Sequence, residues 1–294
     1  MSVGSPSCWI CRSSRLALER PANFGGELTS DSFAITDAHY GQTAAIYRCE
    51  QCGFLECPDL VDALRYYEAL EDPAYEEGRR ERRLQMRRLL QRVRREKPGG
   101  RLLDVGAGSG MLVEEALSLG FEAEGIEPSR WLQERAAGRG LAVHLGTLPS
   151  PAVRPPYDVV TLIDVIEHVS DPMELLRQAA GHLAPEGLAA VVTPDVGSLA
   201  ARLLGRRWWH FRVAHIGYFS RATLQRALRA AGFELLGISR PAWYFGADYL
   251  LERVSAYLPG GLRLPVPGLA RRITVPLNLG DSLLALCRPK AAAP

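Results

Sequence analysis

Two pairs of cysteines and a run of glycines answered by a distant acid are the parts of this sequence best equipped for chemistry. Cys8-Trp-Ile-Cys11 and Cys49-Glu-Gln-Cys52 are Cys-x-x-Cys pairs with 37 residues between them. The short turn within each pair points both thiolates the same way, and two such knuckles complete a tetrahedral Zn2+ site. Gly53 follows the second pair, as a tight knuckle turn requires. Four thiolates close the coordination shell, so the expected zinc is structural and takes no part in catalysis. His39 and Cys57 lie near enough to act as substitute ligands, whereas Cys287 sits in a late apolar run and reads as core. A redox pair of the thioredoxin kind needs a strand and helix around Cys8, and that pattern is missing.

The glycines follow Arg101-Leu-Leu-Asp-Val, an apolar run that ends in Gly106-Ala-Gly-Ser-Gly110 and then turns helical. Glycine belongs there because the turn is tight and the backbone must approach a ligand closely. Asp104 closes the first apolar run, and Ala123-Glu-Gly-Ile-Glu127 ends in a second carboxylate 23 residues on. That is about the spacing at which an acid reaches the ribose hydroxyls of a bound adenosine. A carboxylate there accepts both hydroxyl hydrogens in charge-assisted bonds. A dinucleotide fold would want Gly-x-Gly-x-x-Gly, and the third glycine here comes one residue early. A plain structural turn with two exposed acids is the other alternative.

These residues must be carried by a sheet. Strands are expected at Arg101–Val105, Glu122–Glu127, Ala142–Leu145, Tyr157–Ile163 and Gly187–Thr193, with later ones at Phe233–Arg240 and Leu283–Arg288. Helical patterns fit between them at Met111–Leu119, Ser129–Ala137, Pro172–His182 and Thr223–Ala231. Asp171 before Pro172 is a helix start, and Gly232 is a helix stop. Strands alternating with helices mean a parallel α/β sheet. Two more helices, Leu60–Leu70 and Glu76–Arg95, precede it. The expected organisation is a four-cysteine module over 1–58, a helical linker or lid over 59–98 and an α/β domain over 99–290.

Three runs, Leu-Leu-Asp-Val-Gly-Ala-Gly-Ser-Gly (102–110), Gly-Ile-Glu-Pro-Ser (125–129) and Tyr-Asp-Val-Val-Thr-Leu-Ile-Asp-Val-Ile-Glu-His-Val-Ser-Asp-Pro (157–172), resemble successive motifs of the class I methyltransferases. The third is most similar to the subgroup of ubiquinone-type O-methyltransferases and sugar C-methyltransferases. The resemblance covers roughly residues 99 to 240. It implies a Rossmann-like, mostly parallel sheet of seven strands with S-adenosylmethionine across their carboxyl ends. Position by position, it implies that Asp104, Gly106, Ala107, Gly108 and Gly110 pack against the methionine part. Glu127 holds the ribose and Pro128 lies beside the adenine. Where many relatives place an acid on the adenine amine, this chain has Gly146-Thr147-Leu148, so Thr147 and Leu148 take that end. Ile163, Asp164 and Val165 line the methionine side. Relatives with an N-terminal four-cysteine module support the zinc and its zinc-ribbon-like fold.

Methyl transfer needs a positioned nucleophile and a group to take its proton. His168, just after the fourth expected strand, and His215, in the aromatic run Trp208 to Ser220, are the candidates. His215 to Ser220 is similar to the Glu-His-x-x-x-Phe-Ser segment of sugar C-methyltransferases, with Ala214 in place of the glutamate. Local packing is the alternative for both histidines. Trp209 and Tyr218 are expected to wall the acceptor pocket. Tyr66, Tyr67 and Tyr75 read as core or as a lid.

A net charge of +2 is too small to argue for nucleic acid or an anionic membrane. Gly78 to Lys97 carries ten basic residues, but Leu84, Met86, Leu89, Leu90 and Val93 make a helical apolar stripe, so a solvated arginine face explains the run. Only Lys97 and Lys290 are lysines, which reads as the codon bias of a GC-rich bacterial genome. Met1 to Arg20 lacks a signal-peptide core and no run is long enough to span a membrane, so the expected address is the cytoplasm. Tyr249 to Leu279 interleaves arginines with apolar residues and is expected to pack, with covering a greasy substrate or lying on a membrane as alternatives. The expected acceptor is a small molecule: a sugar nucleotide, a phenolic or polyketide-like metabolite, or a quinone-like lipid. An RNA methyltransferase and a non-catalytic binding module are the competing readings.

Overall fold

The computed structural model describes residues 7–36, 40–257 and 268–290, so His39 lies outside the described residues. The chain opens with three short strands, β1 (Leu16–Arg20), β2 (Ile46–Cys49) and β3 (Leu55–Glu56), then helices α1 (Leu64–Glu68), α2 (Pro73–Glu77) and α3 (Arg79–Glu96). The α/β part runs β4 (Gly100–Val105), α4 (Met111–Ser118), β5 (Phe121–Glu127), α5 (Arg130–Ala137), β6 (Val143–Leu145), β7 (Tyr157–Ile163), α6 (Pro172–His182) and β8 (Leu183–Pro194). It continues through α7 (Leu199–Leu204), β9 (Gly217–Tyr218), α8 (Arg221–Ala230), β10 (Phe233–Ser239), β11 (Trp243–Gly246), α9 (Ala247–Tyr257), β12 (Thr274–Leu277) and β13 (Ser282–Pro289).

The central sheet has seven strands in the order β10-β13-β8-β7-β4-β5-β6. The strands from β8 to β6 run parallel, and β13 is inserted antiparallel between β8 and β10. Both faces are covered, so alternate residues of one strand enter different cores. Leu102 and Val159 join α3 and α4 on one face, while Leu103, Val105, Val160 and Leu162 join α6 and α8 on the other. This is why Tyr157–Ile163 is apolar on both faces, with Val159 and Val160 both buried, rather than a strict alternation.

The two N-terminal helices are more broken than expected. In place of a helix over Leu60–Leu70 there is a 3-10 turn at Pro58–Leu60 followed by α1, and Gly78 separates α2 from α3. Asp72 caps α2 by accepting from the Tyr75 amide at 3.0 Å, and also takes the Thr36 amide (2.9 Å) and hydroxyl (2.6 Å). The basic helix packs as its stripe requires, with Leu89, Leu90 and Val93 buried. Its arginines are largely committed: Arg79 and Arg83 pair with Glu114, and Arg83 and Arg87 pair with Glu115, both acids lying on α4.

Cysteine module and sheet domain share one core. β1, β2 and β3 form an antiparallel sheet whose fourth strand is β9, from the far end of the chain. One buried cluster runs from Cys8, Phe33 and Phe54 to Leu103, Val160 and Phe219. A boundary at residue 58 therefore divides the chain but not its packing.

Candidate functional site

The ends of β4 and β5 meet as the glycine run and the acid require. Gly106 and Ala107 donate their amides to the Ile126 carbonyl (2.9 and 3.1 Å). Glu127 accepts the Gly108 amide on Oε2 and the Ser129 amide on Oε1, both at 2.8 Å. Each oxygen thus keeps a further lone pair for another donor. Gly106 (φ +74°) and Gly108 (φ +54°) adopt left-handed backbone, and a Cβ would come within 2.6 Å of the Val165 side chain or 2.9 Å of the Tyr75 hydroxyl. Burial pushes the Glu127 carboxyl up to about 7, with the Ser129 and Gly108 amides pulling against it.

A cleft of about 1640 Å³ opens over these strand ends, the place where open α/β sheets bind ligands. Gly106, Gly108, Glu127, Pro128, Thr147, Leu148, Ile163, Asp164 and Val165 line it, as do His168 and His215. Asp104, Ala107 and Gly110 stand behind that lining. Asp104 is turned inward and accepts the Thr161 hydroxyl at 2.6 Å. Ala107 packs where a Cβ at Gly125 would fall, and Gly110 starts α4 against Leu141. These three shape the turn from behind. Asp164 adopts φ +53°, and burial raises its carboxyl to about 7, offset by Arg82.

The far floor of the cleft is polar. Atoms of Glu167, His168 and His215 able to bind a cation or share a proton lie within 4.8 Å of one another. Glu167 is buried and takes the Thr193 hydroxyl on Oε2 at 2.9 Å, while its Oε1 and the Nδ1 of His215 have no hydrogen-bond partner among the described residues. His168 is committed: its Nδ1 lies 2.8 Å from the Ala214 carbonyl and 2.5 Å from the Tyr67 hydroxyl. Burial lowers the His168 imidazole to about 4, and burial beside His168 holds His215 well below the usual histidine range. Both rings are therefore neutral near pH 7.

Sequence reasoning missed several neighbours. Arg82, on α3, lies over the Tyr75 ring at 4.4 Å and faces the cleft. His210 stacks on His215 at 5.6 Å, and its Nε2 is 3.5 Å from Asp281, which also accepts the Trp208 indole at 3.3 Å. Tyr67 and Tyr75 line the cleft, whereas Tyr66 stacks on Phe33 at 4.5 Å. Trp209 walls the cleft as expected, but Tyr218 is buried in β9. From the segment after residue 241, β11 pairs with β12, and Trp243, Phe245, Tyr249 and Arg253 close the outer wall. The described part of that segment thus lines the cleft, mostly half-buried, and stays outside the buried core clusters. No helix among the described residues is long and apolar enough to cross a membrane.

The four knuckle cysteines come together away from the cleft floor. Cys8 Sγ is 3.6 Å from Cys52 Sγ, Cys11 Sγ is 3.5 Å from Cys49 Sγ, and all four lie within 4.8 Å of one another. Cys57 and Cys287 are buried outside that group.

Ubiquinone biosynthesis O-methyltransferase from Caulobacter sp. (strain K31) is 40% identical over 105 residues, 32% of this chain and 41% of that protein. The protein of the same name from Azorhizobium caulinodans is 30% identical over 171 residues, 51% of this chain and 68% of that protein. The chain thus spans only about two fifths of the length of the Caulobacter relative. A solved SAM-dependent methyltransferase from Thermotoga maritima aligns over 72% of this chain and 91% of its own, with TM-score 0.47 and 21% identity. Residues 78–237, more than half of the sequence, match the family described as a methyltransferase domain, and the chain belongs to that family.

Proposed function

We propose that this chain moves a methyl group from S-adenosylmethionine to a hydroxyl oxygen of a small phenolic or quinone-like acceptor. The observation that carries the reading is Glu127, fixed by the Gly108 and Ser129 amides with lone pairs left over at the cleft wall. Such a carboxylate suits the two ribose hydroxyls, with Pro128, Thr147 and Leu148 beside the adenine. Arg82 is a cation at the methionine end, suited to a carboxylate. The O-methyltransferase names of the relatives favour oxygen as the atom methylated.

When bound, S-adenosylmethionine supplies a methyl on a sulfonium, with its leaving group built in. The protein's share is position and proton transfer. Ile163, Asp164 and Val165 at the end of β7 steer the cofactor's reactive end toward the floor. His215, neutral and with Nδ1 free, accepts the acceptor's hydroxyl proton, while His168 is held by Tyr67 and Ala214 as the wall against which it stands. The outer aromatic wall excludes water.

Cys8, Cys11, Cys49 and Cys52 fit a structural Zn2+. Metal–sulfur bonds of about 2.3 Å in a tetrahedron place sulfurs roughly 3.8 Å apart, close to the separations here. The metal would lock the two knuckles, with no open position for substrate. Thiolate ligands require a reducing compartment, which favours the cytoplasm.

Product analysis tests the function. Incubation with S-adenosylmethionine and a panel of catechols, amines and sugar nucleotides is expected to give O-methylated catechol and stoichiometric S-adenosylhomocysteine. Methylation of nitrogen or carbon alone, or none across the panel, would contradict the reading.

A further inference from the structure

The segment carrying His215 is clamped between the cysteine module and the loop after β7. On one side β3 pairs with β9, Leu55 opposite Tyr218 and Glu56 opposite Gly217, and the Cys57 amide donates to the Ile216 carbonyl at 2.8 Å. On the other, the Ile216 and Gly217 amides donate to the Glu167 carbonyl at 2.9 and 3.0 Å. His215 is the next residue, so its height over the floor follows the seating of Gly217.

Beside these backbone bonds, Phe54 closes the space over Gly217. Its ring is fully buried, 4.8 Å from Phe219 and 6.5 Å from Trp9 between centroids. A Cβ on Gly217 would fall 3.2 Å from the tip of that ring. Trp9 lies inside the first cysteine knuckle, and its amide is held by Glu56 of β3 at 2.9 Å. The knuckle, β3 and β9 therefore form one continuous support.

We propose that Phe54 is a positioning residue for His215, and that the cysteine module serves the reaction by fixing the seat of Gly217. The inference rests on the reading of His215 as proton acceptor. A misplacement of about 1 Å in a reacting group is enough to lower a rate about 100-fold, so a few tenths of an ångström at Gly217 matters.

Gly217→Ala, Phe54→Leu, the double variant and His215→Ala are compared for kcat, acceptor KM, S-adenosylmethionine affinity and thermal stability. Each single change at 54 or 217 is expected to lower kcat about tenfold, with cofactor affinity unchanged. Leucine leaves room for the new methyl, so the double variant recovers part of the kcat lost by Gly217→Ala. Losses that multiply in the double variant, or single variants with wild-type kcat, overturn the proposal. Should Phe54→Leu fail to fold, Gly217→Ala decides alone: a wild-type kcat overturns the proposal, and a lowered kcat with unchanged cofactor affinity upholds it. If His215→Ala is fully active, it is the reading of His215 that has failed.

Discussion

Replacing His215 by alanine is expected to lower turnover by about 100- to 10,000-fold, the range a positioned proton acceptor contributes. S-adenosylmethionine affinity should stay near that of the parent protein. The ring is 6% exposed, its Nδ1 has no partner among the described residues, and it stands beside His168 and Glu167 at the cleft floor. Burial keeps the imidazole uncharged throughout the neutral range, which leaves a ring lone pair open although the ring is a weaker base than a solvated one. His215→Gln separates chemistry from packing, because it fills much of the same space and takes no proton. Steady-state rates with an acceptor that carries a free hydroxyl check this, and normal turnover in both variants would reduce His215 to a packing residue.

If the four cysteines hold zinc as proposed, Cys49→Ser should abolish its binding and destabilise the fold by about 4 kcal/mol or more, the size of effect that loss of a metal reaches. Cys49 is fully buried and belongs to the same cluster as Phe54, Leu103 and Phe219. Unfolding of the knuckles would therefore reach the sheet through β9 instead of stopping at a linker. Elemental analysis and thermal denaturation provide the check. A wild-type protein that is fully folded without zinc refutes the metal assignment.

Much of this architecture was legible because the central strands are buried on both faces. Tyr157–Ile163 and the run into Gly106 leave long apolar segments bounded by turn residues, and both strands form where those segments lie. The cysteine pairs and Glu127 were legible by spacing. The small sheet was not: β3 and β9 are two residues each, too short for any period to register. A motif lists residues that build a turn together with those that face the cleft, and here Asp104, Ala107 and Gly110 stand behind the lining. Arg82, His210 and Asp281 left no signal. Nothing in spacing links Asp281, just ahead of β13, to a histidine far upstream, and only the reversed insertion of β13 beside β8 brings them together.

Titration calorimetry with S-adenosylmethionine on the parent protein and on Glu127→Ala tests the cofactor cradle most directly. The substitution should weaken binding by about 1–3 kcal/mol, since hydrogen bonds to a charged acceptor are lost. In the parent protein, affinity should rise as pH passes upward through about 7, where the buried Glu127 carboxyl ionises and can accept both ribose hydroxyls. Equal affinities for the two proteins, with no dependence on pH across that range, would mean that the adenosine is not held by this acid and these glycines.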